Sequence, residues 1–423
     1  MPQEVQVARQ AIYDRTNNVV AYELLFRALP NENCSTRNDD LATWQVLSAG
    51  FLDIGLDALL KGRRALVNVP RSMLLDERVY TLPADVIGLE ILEDVEPDAE
   101  VLEMCRTLRA KGYLVVLDDY VGQPMAEPIL DVVDWVKVDF RALAAADVPK
   151  LTRQLKRRKL RLLAEKVETQ AERDLALAAG YDFFQGYFLH RPRVVGGKSL
   201  PSSVHAKLKL LQLLSARDFS LNKVKEIIER DVALCYRLIQ YSNSARFGAR
   251  REIIGLRQCL MRLGEDETRR WIAIVLLPTL AKGRSPVITE TALARARMSE
   301  LLCSRIGSDV HPSEAFMAGM FSLMDAVLQM PMPEVVQQMG LCGEISDALL
   351  HRGESPLATL VQLVESYESV FSEELQPLCR SLGISLEAAG EAYINALDWT
   401  AHIDGPTESS AALEGDRSRA HAQ

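Results

Sequence analysis

The chain has 423 residues, room for two domains or three small ones, and is 48% hydrophobic and 25% charged, the composition of a soluble globular protein. Lys and Arg total 49 against 58 Asp and Glu, so the net charge of −9 disfavours nucleic acid and anionic lipid as partners. The cysteines, at 34, 105, 235, 259, 303, 342 and 379, include no CxxC pair, which argues against a zinc ribbon or a disulfide framework and fits reduced thiols in a cytoplasm. The opening MPQEVQVARQ is no signal peptide, and the most apolar run, Trp271 to Ala281, is too short to span a bilayer and contains Pro278. The reading is a cytoplasmic protein with no membrane partner.

Val5 to Tyr13 and Val19 to Phe26 are strand-like, and the turn residues Asp14 to Asn18 between them force an antiparallel hairpin. A helical segment follows from about Leu41 to Leu60, stopped by Gly62. Then come ALVNV (65–69), VIGLEILED (86–94) and a helix from Val101 to Lys111, with Val101, Cys105 and Leu108 on one face. The stretch YLVVLDDYVG (113–122) is the centre of this half: four apolar residues unbroken, then Asp118 and Asp119. So short an apolar run suits a strand buried on both faces, with the aspartates at its carboxyl end, where α/β folds put their chemistry. WVKVD (135–139), LRLLAEK (160–166) and DFFQGY (182–187) follow. Eight strands, mostly alternating with helices, predict a closed, TIM-like α/β barrel whose first strand runs backwards.

Polar residues recur near the ends of these apolar runs: Glu23, Asn68, Glu90, Asp118, Asp119, Lys137, Glu165 and Gln185. A barrel gathers them around one mouth. Unpaired charges there would each cost several kcal/mol or so in desolvation, so the gathering points to function. Carboxylates and amides are oxygen donors that suit Mg²⁺ or Mn²⁺ rather than zinc. A shared carboxylate such as Asp118 can bridge two ions about 3.5–4 Å apart, the arrangement for in-line attack on a phosphodiester. Lys150 to Arg161 carries a run of basic residues that reads as a solvated outer helix face.

With these residues in view, positions 1 to about 195 resemble the EAL domain, the cyclic-di-GMP phosphodiesterase fold. Glu23-Leu24-Leu25-Phe26-Arg27 matches its ExLxR signature, VNV (67–69) carries its asparagine, and Leu89 to Glu93 its LExxE. LDD, VKVD, AEKVET (164–169) and QGY, followed by Arg191-Pro192, complete the series in order. The resemblance implies one metal held by Glu23, Asn68, Glu90 and Asp118 and a second by Asp118, Asp119 and Glu165. It further implies that Lys137 assists the water, Gln185 sits close to it, and Arg27 clamps a ligand phosphate. Two positions depart from the pattern. The loop after the aspartates, FGTGYSS in active members, reads Tyr120-Val121-Gly122-Gln123-Pro124, which takes a partner from Glu93. The glycine of AEGVET is Lys166, a bulky cation beside Glu165.

Beyond a linker-like stretch, Arg193 to Ser203, the pattern is helical almost throughout to about residue 403. Ser220 reads as an N-cap before LNKVKEIIERD; Leu234, Leu238 and Tyr241 mark one helix face. Ser355-Pro356 reads as a cap with Pro at N1 before a stripe of Leu357, Leu360, Val361 and Val364. The Met-rich stretch from Phe316 to Met332 reads as core. Residues 200–400 resemble the HDOD domain, a relative of the HD phosphohydrolases used as an output or interaction module. ERDVALCYRLIQYSNSARFG, GLRQCLMRLGEDETRRW and EAFMAGMFSLMD carry the likeness. Where an active HD protein has His-Asp this chain has Ser322-Leu323, and His311 and His351 read as fillers, so this half is expected to bind rather than catalyse. Residues 404–423 read as a disordered tail.

The expectation is a two-domain signalling protein, 1–195 a barrel and 200–403 all-helical. Its barrel binds cyclic-di-GMP with Mg²⁺ or Mn²⁺ and little or no hydrolysis, and its helical module passes the signal to another protein. An active phosphodiesterase and a non-binding scaffold stay open, as does a homodimer.

Overall fold

In a computed structural model the strands β1 (Val5–Asp14), β2 (Val19–Ala28), β3 (Arg64–Val69), β4 (Ile87–Ile91), β5 (Leu114–Leu117), β6 (Trp135–Asp139), β7 (Arg161–Glu165) and β8 (Phe183–Gln185) close into a barrel in chain order. The structure describes residues 5–28, 60–144, 146–186, 202–215, 219–229, 231–243, 253, 255–341, 343–368 and 374–403. β1 is antiparallel to both β2 and β8, and every other neighbouring pair is parallel. The expected strands are all present. Several are shorter than their apolar runs: β4 stops at Ile91, and β7 stops where Lys166 takes a φ of 53°.

Two apolar layers hold the barrel. Inside it, Ile12, Ala21, Leu66, Leu114, Val116, Leu163 and Phe183 pack on one another, with Trp135 stacked on Phe183 at 4.1 Å between ring centroids. Outside, Val67, Leu89, Val115, Val136 and Leu162 face helices such as Ala99–Ala110, which buries Val101, Cys105 and Leu108. Asp98 caps that helix, accepting from the backbone N–H of Glu100 and Val101. The basic run lies on and just beyond Val148–Arg157, which buries Leu151 and Leu155 and leaves Lys150, Arg153 and Arg157 in solvent. Thr169 and Glu172 form a reciprocal capping box that opens Gln170–Ala179.

The second half is helical wherever it is described. Ser355 caps Pro356–Tyr367 through its hydroxyl, and the stripe Leu357, Leu360, Val361 and Val364 is buried. Ser220 occupies the N-cap of Leu221–Ile228, but its hydroxyl makes no capping bond. Phe316, Met317, Met320, Met324 and Met330 are all buried, so the Met-rich stretch is core. Ser322 accepts from Arg295 Nη1 at 3.0 Å, Leu323 is buried, and His311 caps Pro312–Phe321. The helical half rests against the β1–β2 side of the barrel. Glu290 meets Lys61 at 3.2 Å and Arg9 at 4.0 Å, and the Ser285 hydroxyl donates to Asn17 O at 3.2 Å.

The expected helix from Leu41 lies, except for Leu60, outside the described residues, as do most of the linker and the tail from 404; Ser202 and Ser203 open the helix Ser202–Ser215. No helix among the described residues is long and apolar enough to cross a membrane. Cys105, Cys235, Cys259, Cys303 and Cys379 are free thiols.

Candidate functional site

Strand periodicity builds the site. Side chains alternate across a strand, so the residue two beyond an interior apolar one also points inward. Ala21, Leu66, Val116, Leu163 and Phe183 form the apolar floor, and Glu23, Asn68, Asp118, Glu165 and Gln185 follow each by two. Trp135 precedes Lys137 in the same way, and Gly88 precedes Glu90. A side chain at Gly88 has no room, since its Cβ would lie 2.5 Å from Leu66 Cδ2. A layer of polar groups thus caps the apolar layer, at the carboxyl ends of β2 to β8.

Lys137 is the hub. Its Nζ lies 2.7 Å from Glu165 Oε1, 2.8 Å from Asp118 Oδ1, 3.1 Å from Glu90 Oε1 and 3.3 Å from Glu23 Oε2, with the lysine only 1% exposed. Burial alone would depress the ammonium; Glu165, Glu23, Glu90 and Asp118 outweigh it and hold the Lys137 pKa well above its ordinary value. One ammonium cannot neutralise four carboxylates. Burial, and then repulsion from the neighbouring acids, pushes Glu90 and Glu165 well above the carboxylate range despite Lys137.

Among the described residues, several buried oxygens in this layer have no partner: Asn68 Oδ1, Glu90 Oε2, Glu165 Oε2 and Gln185 Oε1, while Glu90 Oε1 has only its ion pair with Lys137. Buried acceptors left unpaired cost free energy, and an excess of carboxylates costs more. A hard divalent cation removes both penalties, so Glu23, Asn68, Glu90 and Asp118 fit one such ion. Asp118, Asp119 and Glu165 can also bring one oxygen each within 4.8 Å of one another.

Asp119 differs from expectation in its surroundings. It stands at a φ of 41°, and both its oxygens are held by Lys166 Nζ, at 3.0 and 3.1 Å. The same ammonium lies 2.6 Å from Asp139 Oδ2 at the end of β6. Burial would raise the Asp139 carboxyl, but Lys166 and the N–H groups of Arg141 and Ala142 lower it on balance. The loop after Asp119 is stapled by Gln123, whose amide donates to Asp119 O and accepts from Val121 N at 2.8 Å. Glu93 is exposed at the rim and pairs with none of the described residues. Gly186 is obligatory where β8 leaves the barrel: at φ +139°, a Cβ would sit 2.2 Å from Val167 O.

Above the polar layer opens a cavity of about 670 Å³. Glu23, Asn68, Asp118, Asp119, Lys137, Glu165 and Gln185 line it, and Glu90, fully buried, lies beneath its floor. Arg27 belongs to β2, opposite Gln6, but its side chain lies outside the described residues. Sequence reasoning missed Gln10, whose Oε1 accepts from Gln185 Nε2 at 2.7 Å while that amide also donates to Glu23. It missed Arg141 and Glu168, ion-paired at the rim. It also missed Glu368, which the helical half contributes to the same cavity.

A closed barrel with an acidic, lysine-centred mouth, joined to a helical domain that reaches that mouth, defines a two-domain protein of the EAL type. The EAL domain matches residues 39–192 and the HDOD domain residues 200–353. The chain belongs to the family of proteins that join an EAL domain to an HDOD domain. It is 34% identical to the uncharacterized protein YuxH of Bacillus subtilis over 93% of this chain and 98% of that one. It is 30% identical to the cyclic di-GMP phosphodiesterase CdgJ of Vibrio cholerae over 94% of this chain and 93% of that one. Among solved structures, the manganese and cyclic-di-GMP complex of Klebsiella pneumoniae BlrP1 at pH 9.0 is 21% identical with a TM-score of 0.38, over 44% of this chain and 55% of that one.

Proposed function

We propose that this protein is a cyclic-di-GMP receptor whose barrel binds the nucleotide with Mg²⁺ or Mn²⁺ and hydrolyses it little or not at all, while the HDOD module relays the bound state to a signalling partner. The observation that carries the reading is the set of unpaired oxygens, on Asn68, Glu90, Glu165 and Gln185, at and beneath the floor of a cavity of about 670 Å³. That volume lies within the range of small-molecule sites. In this reading the barrel is TIM-like, the domains span 1–195 and 200–403, and the protein works in the cytoplasm.

Glu23, Asn68, Glu90 and Asp118 would hold a cation, which supplies charge neutralisation and polarises a phosphodiester oxygen. Lys137 keeps the carboxylates together and orients a water; Gln185, anchored on Gln10 and Glu23, presents its free Oε1 beside it. Arg27, four residues beyond Glu23 and so on the same face of β2, would grip a phosphate through its planar guanidinium. Weak turnover is supported by the loop after Asp119, fastened by Gln123 rather than by Glu93. Displaced supporting contacts of this kind typically cost about 10–100-fold in metal affinity or activity.

The second reading is a working phosphodiesterase, favoured by Lys137, Glu165 and Gln185 standing together at the cavity floor and by the name of the Vibrio relative. Calorimetric titration and a turnover assay with cyclic-di-GMP, in Mg²⁺ and then Mn²⁺, separate the two. Saturable binding without product supports the receptor, and steady product formation supports the enzyme. Absence of binding with either metal overturns both and leaves an interaction scaffold. Arg27→Ala should weaken binding by about 1.5–3 kcal/mol, the scale of a hydrogen bond to a charged group.

A further inference from the structure

Lys166 stands where a lysine is conformationally costly. Its φ of 53° is in the left-handed region, which residues with a Cβ seldom adopt and glycine enters freely. Glycine is the residue that the EAL pattern has at this place. What the lysine provides is reach: one ammonium joins the carboxylates at the ends of two strands, Asp119 through both oxygens at 3.0 and 3.1 Å and Asp139 at 2.6 Å. Lys166 thereby holds both oxygens of Asp119, including the one that lies within 4.8 Å of oxygens of Asp118 and Glu165.

The two halves of the acidic layer therefore differ. Around Glu23, Asn68, Glu90 and Asp118 negative charge is in excess; among the described residues the only ammonium is Lys137, and Asn68 Oδ1 and Glu90 Oε2 have no partner. A dication entering there relieves repulsion. Around Asp119 a cation is already in place, since the Lys166 ammonium touches both Asp119 oxygens and also Asp139. A dication taking an oxygen of Asp119 has to displace the ammonium from that carboxylate or accept a like charge within one carboxylate's width. Glu165 pairs with Lys137 through Oε1, and its buried Oε2 has no partner among the described residues.

We propose that the Lys166 ammonium is a built-in cation at the second metal position, so that the barrel loads one divalent ion per chain and Lys166 sets that stoichiometry. The inference rests on the nucleotide-and-metal reading above and deepens it. A site that depends on two ions for hydrolysis retains nucleotide affinity with one and loses rate.

The test is a titration of the full chain with Mn²⁺ alone, followed by calorimetry and by the electron paramagnetic resonance of the bound ion. The wild type should take one Mn²⁺ per chain and give the spectrum of an isolated ion. Lys166→Gly, which suits the left-handed backbone, should take two and give the signature of a spin-coupled pair. Lys166→Met, which keeps the bulk and removes the charge, should also admit the second ion, whereas Lys166→Arg should stay at one. A wild type that binds two Mn²⁺ with affinities within tenfold of each other overturns the role of Lys166 and leaves the nucleotide reading standing. Folded Gly and Met variants that stay at one ion also overturn it. A wild type that takes no Mn²⁺ overturns both this inference and the metal-dependent reading beneath it.

Discussion

Arg295 holds Glu368 by two parallel bonds, Nε to Oε1 at 3.1 Å and Nη2 to Oε2 at 2.5 Å, and Glu368 lines the cavity at the barrel mouth. A carboxylate of the helical half is thus fixed in the field of a site that would receive a dianionic nucleotide. Its pairing with Arg295 offsets part of that charge, and what remains opposes an anion entering the mouth. Glu368→Gln, which keeps the shape and one acceptor, should tighten cyclic-di-GMP binding by about threefold to tenfold, an electrostatic effect that salt screens. Calorimetry at 50 and 300 mM salt would show it as a gain that shrinks at the higher salt. Equal affinities at both would mean that Glu368 is only a structural partner of Arg295.

Lys137 should be more costly to remove than any carboxylate around it. Lys137→Met leaves the buried acids Glu23, Glu90, Asp118 and Glu165 with no ammonium among them. Breaking a buried pair by removing one partner costs about 3–5 kcal/mol. Urea unfolding in chelator should show a loss of that order, partly recovered when Mn²⁺ replaces the missing charge. An unchanged urea midpoint in chelator would show that the acids are protonated and need no cation.

Metal alone should stabilise the wild type. An ion that binds only the folded chain adds about 2.7 kcal/mol at a hundredfold excess over its Kd. Glu90→Ala and Asp118→Ala each remove an oxygen donor and should abolish the metal-dependent rise in thermal midpoint. No rise in the wild type at millimolar Mn²⁺ would count against any competent site.

How much of this was legible follows from strand direction. The polar residues of β2 to β8 could be read because they recur near the ends of apolar runs, at the carboxyl end where parallel strands share a mouth. Gln10 broke that rule for a physical reason. β1 runs the other way, as the antiparallel pairing of Ile12 with Gln185 shows, so the part of β1 at the mouth precedes its apolar residue rather than following it. Lys166 was visible as a bulky cation beside Glu165, yet its partners Asp119 and Asp139 come from other strands and meet it only once the barrel has closed. Glu368 carried no local signal, since a carboxylate after a helix ordinarily faces solvent. The docking of the helical half brings it to the cavity.

Asp325 gives the helical half a dependence on pH. It follows the Ser322-Leu323 pair by two residues, and burial pushes its carboxyl up to about 6 from 3.8, with the N–H of Ala326 and Arg295 pulling it down and Glu365 pushing it up. A carboxyl that binds its proton more tightly when folded favours the folded chain at and below pH 3.8, and that contribution is lost as pH rises through 6. Above pH 6 the ionised form is a cost. Asp325→Asn keeps an oxygen for the Ala326 N–H, which Asp325 Oδ1 accepts at 2.7 Å, and removes the charge. The variant should therefore be more stable than the wild type by about 1–3 kcal/mol at pH 7.5, and the gap should close between pH 6 and pH 4. Urea unfolding at pH 4, 5, 6 and 7.5 checks both the sign and the window. A gap that stays constant with pH would assign the effect to packing, and a destabilised variant at pH 7.5 would show that the charge is used, most directly by Arg295.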